Sequence, residues 1–541
     1  VRLQPDLADL EVSLMRRLML VVATVVLLAP AQAQQQTATD ILARIRQEAA
    51  AGSQILRTVH YLSDVYGPRL TGSPNLKAAG EWSIKQMTDW GLVNAHLEPW
   101  EFGHPGWTNE KFSAHIVSPV KDSLVGEVLA WTSGTDGTVV AQAVSVIPPE
   151  RPTANELTAF LDSLREKVRG AIVLVGKPVV VPVSLTTPAA REDEDGLRRR
   201  YDPNATLAGR GRGGFGNGQP PAPSTLTAAQ VNDRINLFLV ASGARVRLND
   251  AGLEHGVITA FNNTSYDLTQ RLPTVMLRNE DYGRIWRILA DGTAVELEVT
   301  IVNRMHPDGR TMYNAIAEIP GSDKRDEVVM MGGHLDSWHA ATGATDNAVG
   351  CAIMMEAARI LKVLGVAPRR TIRVALWSGE EQGLLGSRAY VAEHFGTFEN
   401  QKPDYAKLVA YLNVDEGTGR LRGARVFGPP AAANVVRQLF APLRDLGVVG
   451  AIATRGRNLG GSDGTVFSSA GLSNIWFDQD PIQYDSHTHH TNLDTYERIL
   501  EADVQQAAIV VAMTAYELAM RDEMLPRFAA GDIPAAPGRG N

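Results

Sequence analysis

EVVMMGGHLDSW, residues 327–338, places a run of apolar residues directly before a histidine and an aspartate. The apolar run predicts a buried β-strand, and the two glycines predict that it ends in a loop. His334 and Asp336 are two residues apart, so both side chains point to one side if the backbone stays extended. Asp336 would then accept the second ring N–H of His334 and fix its tautomer. Functional side chains of open α/β sheets gather at the carboxyl ends of strands, so the stretch predicts an α/β fold with a site there.

Four further segments carry acids or histidines in comparable positions: GATDNAVG (343–350), WSGEEQG (377–383), LNVDEGTG (412–419) and THHTNLDT (488–495). Asp346 opens a helix-like run, and Asp415 follows a strand-like one. Glu380 and Glu381 follow another strand-like run, and adjacent residues of an extended segment point to opposite sides. One glutamate can therefore bind a metal while the other acts as a base. His490 lies in a polar loop before the last predicted helix.

Each of these residues also has an ordinary structural interpretation. Asp346 fits a helix N-cap worth about 1 kcal/mol, the two glutamates fit a solvated strand end, and His490 fits a loop. Together they supply what a two-metal hydrolase requires, namely one histidine and one acid for each ion, one shared acid and one acid left as base. Oxygen and nitrogen ligands without thiolates favour zinc, or a similar divalent ion, in a catalytic site.

These motifs resemble the dizinc exopeptidase family of bacterial leucyl aminopeptidases, glutamate carboxypeptidases and plasma glutamate carboxypeptidase. The stretch GPRLTGSPNLKAAGEWSIKQMTDWGL (67–92) is similar to the N-terminal signature of that family. The resemblance covers roughly residues 40–120 and 305–520. It implies a central mixed sheet flanked by helices, two Zn²⁺ ions, and hydrolysis of terminal peptide bonds in peptides or dipeptides.

Carried over to this chain, the resemblance implies a role for each site residue. His334 and Asp415 would hold one zinc ion, and Glu381 and His490 would hold the other. Asp346 would bridge the two ions with its carboxylate, and the peptide bond from Asp346 to Asn347 would be cis. Glu380 would be the general base, with Asp336 behind His334.

The residue that stabilises the oxyanion is less clear from the resemblance. Some relatives carry a tyrosine near the last ligand, whereas here His489 directly precedes His490, and the nearest tyrosines are Tyr484 and Tyr496. His489 is therefore a candidate oxyanion donor. The alternative is that His489 is a loop residue that faces solvent.

Composition fits a large globular protein of 541 residues, with 44% hydrophobic and 21% charged residues. Length alone favours two to four domains. The net charge of −8 gives no indication of a nucleic-acid partner. Cys351 is the only cysteine, which excludes an intrachain disulfide and a cysteine metal site.

The N-terminal part has the pattern of a secretory signal peptide. A basic start at Met15 precedes LMLVVATVVLLAP, and Ala31–Ala33 forms a small-residue cleavage site. We interpret residues 1–33 as an upstream extension (1–14) followed by this signal. The apolar run is short for a membrane span. We therefore expect export to the periplasm or the extracellular space, without stable membrane insertion after cleavage.

The remaining chain divides into a catalytic part and an insertion. We assign residues 34–119 and 305–525 to the zinc exopeptidase domain and 526–541 to a tail. Residues 120–304 contain several strand-like pieces, and VRGAIVLVG (168–176) resembles the protease-associated domain that interrupts many relatives. Within it, residues 191–224 are rich in glycine, arginine and proline, which predicts a flexible loop.

The sequence favours an aminopeptidase or dipeptidase over a carboxypeptidase. The segment 460–490 carries four aspartates and no arginine or lysine, namely Asp463, Asp478, Asp480 and Asp485. A carboxypeptidase needs a cation for the α-carboxylate, although Arg455 and Arg457 lie just upstream. Two remote alternatives are a non-enzymatic receptor-like homologue and a glutaminyl cyclase-like transferase. Oligomeric state and side-chain preference stay open.

Overall fold

A computed structural model describes residues 40–202, 225–261 and 265–535. The predicted signal peptide, most of the predicted flexible loop and the last residues of the tail lie outside this described part. Within it, no helix is long and apolar enough to span a membrane.

The described chain contains sixteen strands and thirteen α-helices. The strands are β1 (Val93–Glu101), β2 (Gly106–Ser118), β3 (Asp122–Ser123), β4 (Gly126–Val128), β5 (Thr138–Val146), β6 (Ile172–Val175), β7 (Val246–Asp250), β8 (Thr274–Leu277), β9 (Glu296–His306), β10 (Thr311–Ile319), β11 (Lys324–His334), β12 (Arg370–Trp377), β13 (Leu408–Asn413), β14 (Leu421–Phe427), β15 (Gly450–Thr454) and β16 (Asn474–Gln479). The helices are α1 (40–51), α2 (Ile55–His60), α3 (Pro74–Asp89), α4 (Ala154–Asp162), α5 (Arg165–Val168), α6 (Glu194–Arg200), α7 (Ala228–Ala241), α8 (Asn279–Ala290), α9 (Val349–Val363), α10 (Leu385–His394), α11 (Pro430–Phe440), α12 (Gly464–Ser469) and α13 (Glu501–Met520).

The catalytic part is built on an eight-stranded mixed sheet with the order β1-β10-β12-β11-β13-β16-β14-β15. Its centre is parallel, because β11 pairs in parallel with both β12 and β13, and β13 pairs in parallel with β16. The strands β10 and β14 run antiparallel to their inner neighbours. This confirms the predicted central mixed sheet flanked by helices.

Strand β11 explains why the sheet is covered on both faces. Val329 and Met331 pack in the core cluster that contains α9 and α13, whereas Val328 and Met330 pack in the cluster that contains residues of α10 and α12. Successive side chains of a strand point to opposite faces, so a continuous apolar run such as VVMM predicts burial on both. The predicted strand is therefore a central one.

A second eight-stranded sheet, with the order β3-β2-β9-β5-β6-β7-β8-β4, forms the insertion. Its first long strand, β2, pairs along its length with β9. The sequence assigned residues 34–119 to the catalytic part, whereas the structure places β2 in the second sheet. Only residues 102–105 separate β2 from β1, so nothing local distinguishes the sheet to which it belongs.

The predicted flexible loop over residues 191–224 is ordered in its first part. Asp193 caps α6 by accepting the backbone N–H of Gly196, and Leu197 and Tyr201 pack against Ile452 of β15. Residues 191–202 thus contain a helix that composition alone did not indicate, and two apolar side chains of this charged segment contact β15. Residues 203–224 lie outside the described part.

Candidate dimetal active site

Three of the five predicted ligands follow neighbouring parallel strands. His334 ends β11, Glu381 follows β12 and Asp415 follows β13. Since β11 lies between β12 and β13, their carboxyl ends bring the three side chains to the same edge of the sheet. The strands thus deliver one histidine and two acids to one place.

Asp346 lies between the two predicted histidine ligands. Its Oδ1 is 3.0 Å from Nε2 of His334, and its Oδ2 is 3.3 Å from Nε2 of His490. On the first side, Oδ1 of Asp415 is 3.2 Å from Nε2 of His334. On the second side, Oε2 of Glu381 is 2.8 Å from Nε2 of His490. Each histidine therefore faces one carboxylate of its own and the carboxylate that both share.

The donor set fits a divalent cation. Donor atoms of His334, Asp346 and Glu381 lie within 4.8 Å of one another. Oδ2 of Asp346 and Oε1 of Glu381 are buried and receive no hydrogen bond from the described residues. Burial raises the pKa of Glu381 well above its usual range, with Asp346 adding to the effect. A buried carboxylate is energetically costly without a positive charge nearby, so bound cations would compensate the negative charge of this cluster.

Asp336 contacts the site differently from the prediction. Nδ1 of His334 lies 3.0 Å from the backbone oxygen of Asp336 and 3.7 Å from its carboxylate, so the carbonyl, not the carboxylate, accepts the ring N–H. The carboxylate instead accepts the backbone N–H groups of Glu380 and Glu381, each at 3.2 Å, and the hydroxyl of Thr71 at 3.1 Å. Asp336 therefore orients the turn that carries both glutamates.

Glu380 stands beside the cluster rather than in it. Neither group of convergent donor atoms among the described residues includes Glu380, and Asp415 is likewise absent from both, although Asp415 approaches His334 directly. Burial raises the pKa of Glu380 well above its usual range, His334 opposes this, and Asp415 and Glu381 add to it. A carboxylate that is close to the ligands but free of them is suited to proton transfer.

His489 and Tyr484 lie on the open side of the site. The ring of His489 is 3.8 Å from that of His490, and its Nε2 is 3.9 Å from Oδ2 of Asp346. Its side chain is 40% exposed, so it is neither fully solvated nor enclosed. The buried ring of Tyr484 lies 4.9 Å from the ring of His489. Burial raises the pKa of Tyr484 well above its usual range, and Asp346, Asp415 and Glu381 add to the effect, so Tyr484 lies near the cluster as His489 does. Sequence reasoning singled out only His489.

Two buried residues without a predicted role hold the backbone around Asp346. The carboxylate of Asp494 accepts the backbone N–H groups of Thr345 at 2.5 Å and Asp346 at 3.2 Å. The peptide bond from Asp346 to Asn347 is cis, as expected. The guanidinium of Arg69 donates to four carbonyl groups, those of Leu62, Leu335, Thr342 and Gly343. Both residues lie in quoted motifs, but a motif does not indicate which distant backbone its side chain contacts.

A cavity of about 690 Å³ opens beside the cluster, with Glu381 and His490 in its wall. Five of the twelve described lining residues carry large aromatic rings, namely Trp100, Phe102, Phe261, Tyr266 and Trp338. The insertion supplies two of these rings. Phe261 lies 4.7 Å from the ring of His490, and Tyr266 stacks on His104 at 3.9 Å.

The described residues that line the cavity include two carboxylates, Glu101 and Glu381, and no arginine or lysine. The two upstream arginines are engaged elsewhere. Arg455 donates to the carbonyl of Asp532 at 2.7 Å, and Arg457 donates to Glu399 at 2.8 Å.

The four loop aspartates are not part of the cavity wall. Asp478 accepts from Arg425 at 2.7 Å, and Asp480 pairs with Arg191 at 3.0 Å. Asp463 is buried, which raises its pKa to about 7. The four aspartates therefore offer no carboxylate to a substrate in this cavity.

Comparison with known proteins agrees with this geometry. Residues 314–515 match the profile of Peptidase family M28. Carboxypeptidase Q of Rattus norvegicus is 28% identical over 470 residues, which cover 86% of this chain and 85% of that protein.

Two solved structures have the same fold. A peptidase M28 precursor from Shewanella amazonensis superposes with a TM-score of 0.63 at 24% identity, over 91% of this chain and 99% of that one. A zinc aminopeptidase from Bacillus subtilis superposes with a TM-score of 0.53 at 18% identity, over 89% and 98% of the two chains. The stretch that matches Peptidase family M28 contains all five predicted ligands, so sequence similarity and convergent side chains coincide in the same part of the chain.

Proposed function

We propose that the protein is an exported dizinc exopeptidase that removes the N-terminal residue from peptides or dipeptides with a free α-amino group. The observation that carries the choice of terminus is the charge of the cavity. Besides the proposed metal ligand Glu381, its described lining offers one carboxylate, Glu101, for an α-ammonium group and no arginine or lysine for an α-carboxylate. The aromatic wall favours a large apolar side chain on the residue that is released.

The proposed ligands are His334 and Asp415 for one ion, Glu381 and His490 for the other, and Asp346 for both. Bound zinc ions would supply Lewis acidity and lower the pKa of water, which makes it a nucleophile at neutral pH.

The remaining chemistry belongs to the side chains of the chain itself. Glu380 accepts the proton of the attacking water and delivers it to the leaving amine. Asp336 keeps Glu380 in place through the backbone N–H that it accepts. His489, with Tyr484 beside it, donates to the oxyanion that develops on the scissile carbonyl.

The choice of terminus is tested with three substrates that share one apolar residue, namely an aminoacyl amide, a free dipeptide and its N-acetyl derivative. We expect cleavage of the first two and none of the third. A carboxypeptidase, which the name of the rat relative favours, would cleave the N-acetyl dipeptide and leave the amide intact. That result would overturn the terminus without affecting the metal centre.

Glu101 gives a sharper test of the same point. An exposed ion pair contributes at most about 1 kcal/mol, so Glu101→Gln should raise KM for an aminoacyl amide about fivefold with little change in kcat. The matched control is Glu110→Gln, since Glu110 pairs with Arg304 outside the cavity lining. Equal KM values in the two variants would remove Glu101 from the ammonium site.

The roles of base and bridge are tested by metal content measured beside turnover. Glu380→Gln should keep two zinc ions and lose turnover by about a thousandfold, whereas Asp346→Ala should lose metal. Glu393→Gln, on the exposed side of α10, is the control and should change neither quantity. Near-normal turnover in Glu380→Gln would exclude it as the base.

The proposal of export rests on the signal pattern in residues 1–33, and that of a protease-associated insertion rests on residues 168–176. The second sheet is compatible with such a domain and supplies two rings of the cavity wall. Fractionation of expressing cells, with the mature N-terminus read by mass spectrometry, tests export. Cytoplasmic protein that retains Met15 would contradict it.

A further inference from the structure

The segment 480–492 carries both His489 and His490 and has little regular structure of its own. Its only helical piece is a five-residue π-turn, Tyr484–Thr488. Three of its residues have left-handed backbone conformations, with φ of +29° at Ile482, +63° at Gln483 and +60° at His490. Non-glycine residues persist in this region only when their surroundings hold them there. The conformation of this metal-ligand loop, as we call residues 480–492, therefore needs external support.

The downstream end of the metal-ligand loop is held by the insertion through Asn492. The backbone N–H of Asn492 donates to the carbonyl of Ile258 at 3.0 Å, and the N–H of Ile258 donates to the side-chain oxygen of Asn492 at 2.8 Å. The side-chain amide of Asn492 also donates to the carbonyl of Gly256 at 3.3 Å. Next to it, Thr259 and Thr491 form an antiparallel bridge. Asn492 and Thr491 thus join the loop to the insertion by a short strand-like pairing.

The upstream end is held by a different part of the insertion. The backbone N–H of Ile482 donates to the carbonyl of Ala190 at 3.1 Å. The buried carboxylate of Asp480 accepts the N–H of Glu192 at 2.9 Å and pairs with Arg191 at 3.0 Å. Residues 190–192 and 256–259 are far apart in sequence, yet they anchor the two ends of one loop.

The first ion's ligands have no such dependence. His334 and Asp415 follow β11 and β13 of the central sheet, which the sheet itself holds in register. The two predicted ion sites therefore differ in what positions their ligands. Strands of the central sheet position His334 and Asp415, whereas the loop that carries His490 depends on contacts with the insertion.

We propose that Asn492 and Arg191 are positioning residues through which the insertion holds His490 in its ligating conformation. The affinity for the ion bound by Glu381 and His490 then depends on the insertion, whereas the affinity for the ion bound by His334 and Asp415 does not. This inference rests on the proposed ligand assignment and adds a source of control over one of the two ions.

Zinc titration of the metal-depleted full chain by calorimetry tests the proposal, with a competing chelator to resolve the two binding steps. We expect Asn492→Ala to weaken the second step about tenfold and to leave the first unchanged, as for other residues that support a ligand from outside. Arg191→Ala should act in the same direction. The control is Asn249→Ala, because Asn249 bonds Arg247 within the insertion sheet and should change neither step.

Two outcomes would overturn the proposal. An unchanged second step in both Asn492→Ala and Arg191→Ala would show that the loop holds itself, and equal weakening of both steps would indicate general destabilisation. His490→Ala separates this failure from that of the ligand assignment. If His490→Ala still binds two ions, the assignment is wrong and the proposal falls with it; if it loses one ion while Asn492→Ala loses none, only the positioning role is wrong. Arg191 is partly exposed, so its variant remains informative if Asn492→Ala does not fold.

Discussion

Replacement of Asp336 by asparagine tests how the turn that carries both glutamates is held. The carboxylate is fully buried and accepts three donors. Its Oδ1 takes the N–H of Glu380, while its Oδ2 takes the N–H of Glu381 and the hydroxyl of Thr71. Asparagine has nearly the same shape, so the change removes acceptors without removing volume.

The magnitude follows from the number of donors. An asparagine keeps one acceptor oxygen, and that oxygen is best used where two donors arrive, beside Glu381 and Thr71. The side-chain NH₂ group then faces the backbone N–H of Glu380. Both groups are hydrogen-bond donors, so the N–H of Glu380 loses its acceptor. A hydrogen bond to a charged group contributes about 1.5–3 kcal/mol, and a buried N–H without a partner costs about 1–3 kcal/mol. We therefore expect Asp336→Asn to lower the free energy of unfolding of the metal-free protein by about 2–4 kcal/mol.

Because the displaced group is the N–H of Glu380, the same change should lower kcat by about 10- to 100-fold while two zinc ions stay bound. Denaturant unfolding, metal analysis and kcat measured on one preparation provide the data. Asp281→Asn is the matched control, since Asp281 is also buried and accepts the N–H of Val125 at 2.8 Å in the insertion. It should lose stability and keep its kcat. An unchanged kcat in Asp336→Asn would refute the reasoning.

Three further changes have definite expected outcomes. Arg69→Lys should destabilise the protein by about 3 kcal/mol in denaturant unfolding, because one ammonium cannot reach the four carbonyl groups that the guanidinium serves. Tyr266→Ala removes part of the aromatic wall and should lower kcat/KM about tenfold for a phenylalanyl amide but not for an alanyl amide. Burial raises the pKa of Glu127 to about 7, so the folded state holds this proton more tightly than the unfolded chain, and stability falls as pH rises from about 4.5 to about 7. Glu127→Gln should remove that loss, at most about 3 kcal/mol, when unfolding is compared at pH 5 and pH 8.

The sequence predicts the central sheet, and the meeting of three predicted ligands at its edge, for a physical reason. His334, Glu381 and Asp415 each follow an apolar run that is long enough to read as a buried strand. Parallel strands align their carboxyl ends without further information, so three local patterns define one three-dimensional site. The prediction needed no knowledge of how distant parts of the chain pack.

The boundary of the insertion and the helix α6 within it were not predictable in this way. Strand β2 follows β1 closely in the chain, and only its pairing with β9 reveals the sheet to which it belongs. Leu197 of α6 and Tyr201 after it lie among arginines and acids in the sequence. Their burial depends on a surface of β15 that is far away in sequence. Composition describes the average polarity of such a segment. It does not reveal that two individual side chains, Leu197 and Tyr201, pack against β15.

The role of Asp336 shows the same limit within a single motif. Its spacing from His334 is correct for a carboxylate that supports the ring, and the ring N–H does find a partner at Asp336. The partner is the backbone carbonyl, because the carboxylate is already committed to the turn after β12. Spacing along the chain determines which residues are neighbours, whereas competition among donors from other strands determines which atom of a residue is used. Sequence reasoning is therefore reliable for the ligands that strands deliver and weak for the contacts that hold Asp346 and His490, whose backbones depend on Asp494 and on the insertion.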